Sequence, residues 1–484
     1  MVFRVCPEAV STPGGEAWIV ERYIMAKEVT REMLKSRLGF LLLAAGCAVG
    51  LGNVWRFPFI TGQYGGASFV MIYLLFLLIL GLPVMIMELS VGRASNQNIG
   101  KAFETLQPKG TKWNIFGHVG IAGNYLLMMF YTTVTGWILA YLYSTMTGQL
   151  SGMNSSETGQ FFEAMLIDPL SMSFWMILSV ILGFAVTSIG LQKGVEKVSK
   201  SMMISLLFLL FALVLKAITL EGAIEGLKFF LLPDIDRFME TGPAVVILAA
   251  MGQAFFTLSL GMGGMAIFGS YIDKSRALPG EALRIVGIDV SVAMMSGLII
   301  FPICFAFSVS PDAGPGLLFV TLPNIFNQMT GGQFWGTLFF LFMSFAALTT
   351  VIAAFENIVS YWMDTWGWTR RKASWFNTIA LIVLSMPTVL GFNLWSQIEP
   401  LGPGSTILEL KDMFLSTTLI PLGALVFVLF TSTRYGWGWK SFRKEANTGD
   451  GLKMANWARF YVSWILPVII LVIFVRGYWG LLFG

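Results

Sequence analysis

The sequence predicts an all-α membrane protein with about eleven transmembrane helices, in an inverted five-plus-five repeat whose helices 1 and 6 are broken. Three observations predict this fold class. The 484 residues are 56% hydrophobic and only 12% charged, with a mean hydropathy of +0.74, whereas soluble domains carry about 25% charged residues. About eleven apolar runs have the length that a bilayer requires. Glycine-rich interruptions occur in two of these runs, five spans apart.

The predicted spans are helices, because a membrane barrel would show alternating segments of about ten residues instead. They lie approximately at 38–61, 66–91, 114–146, 170–190, 195–217, 242–272, 284–308, 334–363, 374–393, 412–432 and 458–481. Several are longer than the bilayer needs, so we expect tilted, broken or protruding helices.

Lysine and arginine are concentrated in every second connection, which predicts the orientation of the chain. Basic clusters precede the first span and follow the second, fourth, sixth, eighth and tenth spans. The sequence therefore predicts a multi-pass protein of the cell's inner (plasma) membrane. The N-terminus is expected to be cytoplasmic and, after an odd number of spans, the C-terminus extracellular.

The first residues mix proline, glycine and charge without the apolar core of a signal peptide. We therefore expect a disordered leader over 1–27 and one transmembrane domain over 28–484. The net charge of +4 is too small to indicate a nucleic-acid partner. The single histidine and three cysteines show neither metal-ligand spacing nor a disulfide framework. No group of acids, bases or ligands indicates an enzyme.

Two stretches interrupt helices in mid-membrane. "AAGCAVGLGNVWRFP", Ala44 to Pro58, has three glycines, a cysteine and an asparagine within eight residues, and "GQAFFTLSLGMGG", Gly252 to Gly264, interrupts the sixth span. A broken helix frees backbone carbonyl and N–H groups, which membranes tolerate only where these groups line a cavity or bind a ligand. Freed carbonyls suit Na⁺ or an ammonium group, and freed N–H groups suit a carboxylate. The alternative interpretation is close helix packing through glycine.

Asp289 lies inside the seventh span, in "GIDVSVAMMSG". A carboxylate in hydrocarbon is costly and indicates a functional site. Within 4 Å of a bound cation it would contribute about 4 kcal/mol at an effective dielectric constant of 20. The alternative is an aspartate that reaches out to the cytoplasmic interface.

Two connections are long enough to carry structure of their own. Residues 219–240 include "GAIEGLKFFLLPD", and residues 309–333 include "PDAGPGLLFVTLPNIF". Both are expected on the extracellular side, where they would form a helical cap over an entrance.

These motifs, together with "FAALTT" in the eighth span, resemble the neurotransmitter:sodium symporter family, in its bacterial amino-acid-transporting branch. The similarity runs from about Glu28 to the C-terminus. It implies a LeuT-type fold and sodium-coupled uptake of a neutral, hydrophobic or aromatic amino acid by alternating access. It also implies two Na⁺ sites and a monomer sufficient for transport. The alternative is a non-transporting amino-acid sensor on the same fold.

The resemblance assigns residues to each part of the site. The first sodium site would comprise Ala48, Asn53, Thr257 and Asp289, and the second Gly46, Val49, Ala346, Thr349 and Thr350. The substrate would contact Cys47, Ala48, Leu51, Gly52, Leu127, Tyr131, Phe256, Thr257, Ser259, Met262, Thr350 and Ala354. The outer gate would be Arg56, Asp412 and Phe256, and the inner gate Arg31, Asp364 and Tyr271.

Three consequences follow from these assignments. The resemblance implies a side-chain subsite without acidic or basic side chains, so charged amino acids are disfavoured. Its lining would be Cys47, Leu127, Phe256, Met262, Thr350 and Ala354. Asp289 stands where other family members carry Asn and need chloride or another acid, so transport is expected to be independent of chloride. Relatives often carry an aromatic residue at the position of Leu34, so a weaker inner lock is expected here. They often carry a proline at the position of Ile204, so the resemblance does not extend to the unwinding of the fifth helix.

Overall fold

The computed structural model describes residues 32–309 and 316–483, with side chains up to residue 478. The predicted leader and Arg31 lie outside the described residues. The chain divides into two units, Met1–Glu32 and Met33–Gly484, and the helices described below belong to the second.

The named elements of the described chain are all helices. Its helices are α1 (Arg37–Ala48), α2 (Gly52–Gln63), α3 (Ala67–Ser95), α4 (Ile99–Leu106), α5 (Asn114–Met146), α6 (Ser155–Ile167), α7 (Pro169–Ile189), α8 (Leu191–Ile218), α9 (Ala223–Leu231) and α10 (Ile235–Thr241). They continue with α11 (Pro243–Thr257), α12 (Gly264–Gly269), α13 (Leu278–Ala306), α14 (Leu322–Gln328), α15 (Gly332–Trp366), α16 (Arg370–Leu390), α17 (Ile407–Ser432), α18 (Trp439–Ala446) and α19 (Ala458–Tyr478).

Within the described residues, nine helices are long and apolar enough to cross a membrane, and two bent helix pairs raise the number of candidate spans to as many as eleven. The nine are α3, α5, α7, α8, α13, α15, α16, α17 and α19, and the pairs are α1 with α2 and α10 with α11. The prediction of an all-α protein with about eleven spans is confirmed.

Both predicted interruptions are present as breaks in the helices. Helix α1 ends at Ala48 and α2 begins at Gly52, with a bend of 57° between them. Helix α11 ends at Thr257 and α12 begins at Gly264. In the second break the backbone of Ser259 has a φ of +50°, a value that residues other than glycine rarely adopt.

Glycine at two positions lets α17 pass directly against the second break. A Cβ atom on Gly261, whose φ is +91°, would lie 2.3 Å from the Ile420 carbonyl oxygen. A Cβ on Gly423 would lie 1.9 Å from the Gly261 oxygen. Real Cβ contacts are never so short, so the backbones of α17 and the break touch only because both residues lack side chains.

The start of α1 is held by a carboxylate from α8. Ser36 caps α1 through its hydroxyl, which accepts a hydrogen bond from the Gly39 N–H at 3.0 Å. Glu196 accepts hydrogen bonds from the backbone N–H groups of Lys35 at 2.8 Å and Ser36 at 3.1 Å. A negative charge at the N-terminus of a helix is stabilising, so α1 is attached to α8 at this end. At the same end the Leu34 N–H donates to the Tyr271 carbonyl at 3.0 Å.

Ile204, at the position of the family proline, lies within the continuous helix α8 and is 51% exposed. The irregular part of α8 is its first turn, Leu191–Glu196, which is π-helical and follows Gly190 with a φ of +124°. Any departure from regular helix in α8 is therefore located before Ile204.

The two long connections contain helices, as predicted. Residues 219–240 form α9 and most of α10, and α9 packs against α13 and α3. Residues 309–333 contain α14, which packs against α15 and α6, while residues 310–315 of this connection lie outside the described part of the chain.

A buried arginine joins three distant segments at the end of α3. The Arg93 side chain has no solvent exposure and donates to the Glu445 carboxylate and the Arg276 carbonyl, each at 2.7 Å, and to the Glu445 carbonyl. Lys274 also contacts Glu445, at 3.2 Å. The Arg93 guanidinium thus fixes α18 and the connection before α13 to the end of α3.

Replacing Arg93 with methionine is expected to lower the free energy of unfolding by about 3–5 kcal/mol, because Glu445 would keep a buried charge without its main partner. Arg93→Lys should be nearly as destabilising, since one ammonium group cannot make the same planar set of bonds. Thermal unfolding of the detergent-purified protein measures the effect. Arg371→Met, at an exposed site, is the control, and equal unfolding temperatures for the two methionine variants would contradict the assignment.

Candidate binding site

The two helix breaks meet at a small closed cavity between α5 and α15. The cavity has a volume of about 30 Å³. Its lining consists of Ala48, Gly50, Leu51, Gly52, Leu127, Tyr131, Phe256, Thr257, Ser259, Met262, Thr350, Leu415 and Ile420. Ten of the twelve residues predicted to contact substrate are in this set, so the structure brings together residues that are scattered from position 48 to position 350.

Cys47 and Ala354 are the two predicted substrate residues that do not line this cavity. The Cys47 sulfur lies 3.6 Å from where a Cβ atom on Gly264 would be, so the thiol is next to the start of α12. Ala354 is buried in α15, one turn beyond Thr350. Leu415 and Ile420 line the cavity instead, and sequence reasoning missed them because apolar residues in an apolar span carry no distinguishing signal.

The four residues predicted for the first sodium site lie on four helices, α1, α2, α11 and α13, and Asp289 contacts two of the others. The Asn53 amide donates to the Asp289 carboxylate at 2.9 Å and to its backbone carbonyl at 3.2 Å. The Thr257 hydroxyl lies 3.5 Å from the second Asp289 oxygen, and Ala48 lines the adjoining cavity. Asp289 has no solvent exposure, so it does not reach out to the interface, as the alternative interpretation required.

The second predicted sodium site is a cluster of oxygen atoms between α15 and the first break. The Thr350 hydroxyl lies 3.2 Å from the Val49 carbonyl and 3.4 Å from the carbonyls of Gly46 and Ala346. The Thr349 hydroxyl lies 3.0 Å from the Ala346 carbonyl. All five predicted residues thus contribute to one group of hard oxygen atoms, the type that hard cations prefer.

This oxygen cluster differs from a transition-metal site. Among the residues that the structure describes, no group of three or more His, Cys, Asp or Glu side chains could hold a metal ion. The cluster consists of carbonyl and hydroxyl oxygens, a donor set that suits hard cations.

The predicted outer gate borders a second cavity. The Arg56 guanidinium lies over the Phe256 ring, 3.9 Å from its centroid, a cation–π geometry. Both residues and Asp412 line a cavity of about 500 Å³ beyond the closed one. Across the described residues, no direct ion pair or hydrogen bond joins Arg56 to Asp412. Phe256, Leu51 and Tyr131 line both cavities.

At the end of the helices away from the outer gate, the predicted inner-gate residues Asp364 and Tyr271 form hydrogen bonds with neighbouring residues. Asp364 accepts hydrogen bonds from the backbone N–H and the side-chain amide of Asn98, both at 2.8 Å. The Tyr271 hydroxyl donates to Glu356 at 2.6 Å, and Arg370 binds the other Glu356 oxygen at 2.5 Å. Arg31 lies outside the described residues, so its pairing with Asp364 stays a prediction.

Glu88 is the main residue of the site that sequence reasoning missed. Its buried carboxylate accepts hydrogen bonds from the backbone N–H groups of Gly261 at 2.5 Å, inside the second break, and of Met265 at 3.1 Å, in the first turn of α12. Asn124 supports the same segment by donating to the Met262 carbonyl at 2.9 Å. The signal was an acid within the apolar run "MIMELSVGR", which by itself indicates a functional residue in a membrane.

Comparison with known proteins gives consistent matches along the chain. The sequence model of the sodium:neurotransmitter symporter family matches residues 31–168 and 162–480. An uncharacterised sodium-dependent transporter of Bacillus subtilis, YhdH, is 34% identical over 442 residues, which cover 91% of this chain and 96% of that protein. The sodium-dependent serotonin transporter of Drosophila melanogaster is 26% identical over 507 residues, covering 94% and 78%.

A solved structure matches the fold closely. The crystal structure of MhsT in complex with L-phenylalanine superposes with a TM-score of 0.82 at 38% sequence identity, and the match covers 92% of this chain and 100% of MhsT. The predicted fold class, with its LeuT-type arrangement, is confirmed by this match.

Glu88→Gln is expected to destabilise the protein by about 1.5–3 kcal/mol, because the new NH₂ group faces backbone donors that need an acceptor. The measurement is the unfolding temperature in detergent. Glu225→Gln, on the exposed pair of Glu225 with Lys228 in α9, should leave that temperature unchanged. If Glu88→Gln unfolds at the same temperature as the wild type, the carboxylate does not support the second break.

Proposed function

Because the chain belongs to the sodium:neurotransmitter symporter family, and is therefore a multi-pass, sodium-dependent membrane transporter and not an enzyme, we propose that it carries a neutral, hydrophobic or aromatic amino acid together with Na⁺ by alternating access. The observation that carries this proposal is the meeting of two helix breaks at one apolar cavity flanked by two groups of oxygen ligands. One chain supplies every part of this arrangement, so a monomer is sufficient in this proposal.

We propose two sodium sites. At the second, the Thr350 hydroxyl lies within 3.4 Å of three carbonyl oxygens, and these oxygens would surround an ion that bridges α15 and the first span. At the first, Asp289 supplies a buried negative charge beside Asn53 and Thr257. A cation there would offset the cost of burying the carboxylate, and the carboxylate of the substrate would complete its ligands.

We propose that the charged ends of the amino acid bind the backbone of the two breaks. The Leu51 N–H and the Tyr131 hydroxyl lie 3.2 Å apart and would together bind the substrate carboxylate with the Gly52 N–H. The ammonium group would bind the carbonyl groups of Ala48, Phe256 and Ser259, which all line the cavity. These are the partners that opened helix ends offer to a zwitterion.

The side-chain subsite would be formed by Leu127, Met262, Leu415 and Ile420, which are all uncharged. Acidic and basic amino acids would lose their hydration there without gaining a partner. MhsT, which shares the fold, is a protein solved with L-phenylalanine, and this supports a hydrophobic or aromatic substrate. Met262 can adapt its shape to such ligands.

Binding must be coupled to movement of the cavity wall. A cavity of about 30 Å³ holds only one or two water molecules, so an amino acid enters when Phe256 and Met262 move outward. Phe256 lines both this cavity and the outer one, and the Arg56 guanidinium lies over its ring. We therefore propose that Phe256 and Arg56 close the substrate from the outside, with the N-terminus in the cytoplasm of a cell whose inner (plasma) membrane holds the protein.

The test is a screen of the twenty amino acids for Na⁺-dependent uptake into proteoliposomes. We expect uptake of hydrophobic or aromatic amino acids and none of charged ones. Labelled counterflow separates transport from sensing, because a sensor binds the amino acid without exchange across the membrane. Charged substrates preferred over apolar ones, or uptake without Na⁺, would contradict the proposal.

Thr350→Val should raise the Na⁺ concentration for half-maximal uptake by about tenfold or more, since one charge-assisted contact contributes about 1.5–3 kcal/mol. Thr145→Val is the matched control, because the Thr145 hydroxyl contacts only the Tyr141 carbonyl of its own helix. Equal Na⁺ dependence of the two variants would remove Thr350 from the ion site.

Replacing chloride with gluconate at constant Na⁺ should leave wild-type uptake unchanged, because the Asp289 carboxylate supplies the negative charge that chloride would otherwise provide. Asp289→Asn should make uptake dependent on chloride or reduce it more than tenfold, since at an effective dielectric constant of 20 the charge contributes about 4 kcal/mol at 4 Å. Wild-type uptake that collapses in gluconate would contradict this role of Asp289.

A further inference from the structure

Asn357 is a buried amide without a protein partner. It lies in α15 with no solvent exposure, and neither its side-chain oxygen nor its side-chain nitrogen makes a hydrogen bond with any described residue. The other buried asparagines of the described chain do have partners: Asn53, Asn98, Asn124 and Asn377. An unsatisfied buried amide destabilises the conformation that contains it, so Asn357 needs a specific explanation.

The position of Asn357 follows from the geometry of α15. It comes seven residues after Thr350, and seven residues make almost two full turns, so both side chains leave the helix on the same face about 10 Å apart along its axis. The Thr350 hydroxyl points at carbonyl groups of the first span. Asn357 therefore lies on the α15 face that meets the first span, between Thr350 and Asp364, toward the end predicted to be cytoplasmic.

The first span is built to move at this end. Helix α1 is joined to α2 through a break in which residues 49 and 50 are non-helical, with a bend of 57°. Its inner end is attached by polar contacts, among them the bonds of Ser36 to Glu196 and the ion pair of Arg37 with Glu281 at 2.8 Å. Such contacts can exchange for water, whereas a packed apolar contact cannot be replaced in this way. A hinge of a few residues beside an element whose end is held by exchangeable polar contacts is typical of a gating segment.

We propose that the unpaired carboxamide of Asn357 is a built-in bias toward inner opening. While α1 is packed against α15, the amide has no hydrogen-bond partner among the residues that the structure describes. When α1 moves away, water enters and satisfies both the oxygen and the NH₂ group of Asn357. The side chain thus raises the free energy of the inner-closed state relative to the inner-open state, which favours release of Na⁺ and substrate to the inside. This inference rests on the alternating access proposed above.

The decisive variant is Asn357→Leu, which keeps similar volume and removes both polar groups. It should shift the equilibrium toward the inner-closed state by about tenfold, equivalent to about 1.4 kcal/mol. The matched control is Asn377→Leu, because Asn377 is equally buried but its amide donates to the Ala373 carbonyl at 2.8 Å and its oxygen accepts from Tyr125. Asn357→Ala serves as a second variant if leucine does not fit.

Three measurements follow on the purified protein. The unfolding temperature should rise in Asn357→Leu and fall in Asn377→Leu. Hydrogen exchange of residues 37–48 in sodium-free buffer should slow about tenfold in Asn357→Leu, because α1 opens less often. In proteoliposomes the maximal uptake rate should fall severalfold, while the substrate concentration for half-maximal uptake stays equal or decreases.

The outcomes separate this inference from the proposed function. If Asn357→Leu unfolds at a lower temperature, as Asn377→Leu should, the amide is satisfied in the closed state and the inference is wrong. It is also wrong if exchange in residues 37–48 is unchanged. If exchange slows and the protein is stabilised but no amino acid is taken up by the wild type, the bias stands and the proposed transport fails.

Discussion

Inside a bilayer every backbone N–H and C=O group needs a partner within the protein or in a bound ligand, and the rest of this structure depends on how two helix breaks meet that requirement. Glu88 accepts from N–H groups within the second break and at the start of the helix that follows it, and Asn124 donates to a carbonyl within the break. At the first break the Thr350 hydroxyl and the Tyr131 oxygen approach the free carbonyl and N–H groups. The groups that remain weakly bonded, at distances of 3.2–3.4 Å, are those assigned to Na⁺ and substrate in our proposal. Binding and the stability of the breaks are therefore two aspects of the same hydrogen-bonding problem.

The partners of the breaks come from helices that are themselves unbroken. Thr350 lies on α15, Tyr131 and Asn124 on α5, Asp289 on α13 and Glu88 on α3. Continuous helices hold these side chains in place, whereas both breaks contain glycine and the second also contains residues with positive φ. The arrangement divides the molecule into a rigid frame and two adaptable segments, which is the division that hinged motion requires.

Hydropathy and glycine spacing were sufficient to predict the spans and both breaks, because each is a property of contiguous residues. An acid in an apolar run was equally visible, and Asp289 was identified in this way. The partner of such an acid was not visible: Glu88 binds a break 173 residues away, and nothing local encodes that pairing.

Leu415 and Ile420 were missed because apolar wall residues are indistinguishable from those that face lipid. Cys47 and Ala354 were placed at the cavity by resemblance, yet a rotation of part of one helical turn is enough to direct a side chain elsewhere. Sequence thus predicts which residues are unusual, and packing decides which of them meet.

The contact of Arg93 with Glu445 also has a consequence for biosynthesis. The two residues are 352 positions apart, so at about 5–20 residues per second the ribosome needs about 20–70 s to make the second after the first. During that interval the arginine at the end of α3 has no carboxylate to bind. It must remain hydrated at the membrane surface, and the ends of the early helices cannot reach their final packing. Completion of the fold therefore waits for the last part of the chain, and a nascent protein truncated before α18 would present this unpaired cation to the quality-control machinery of the cell.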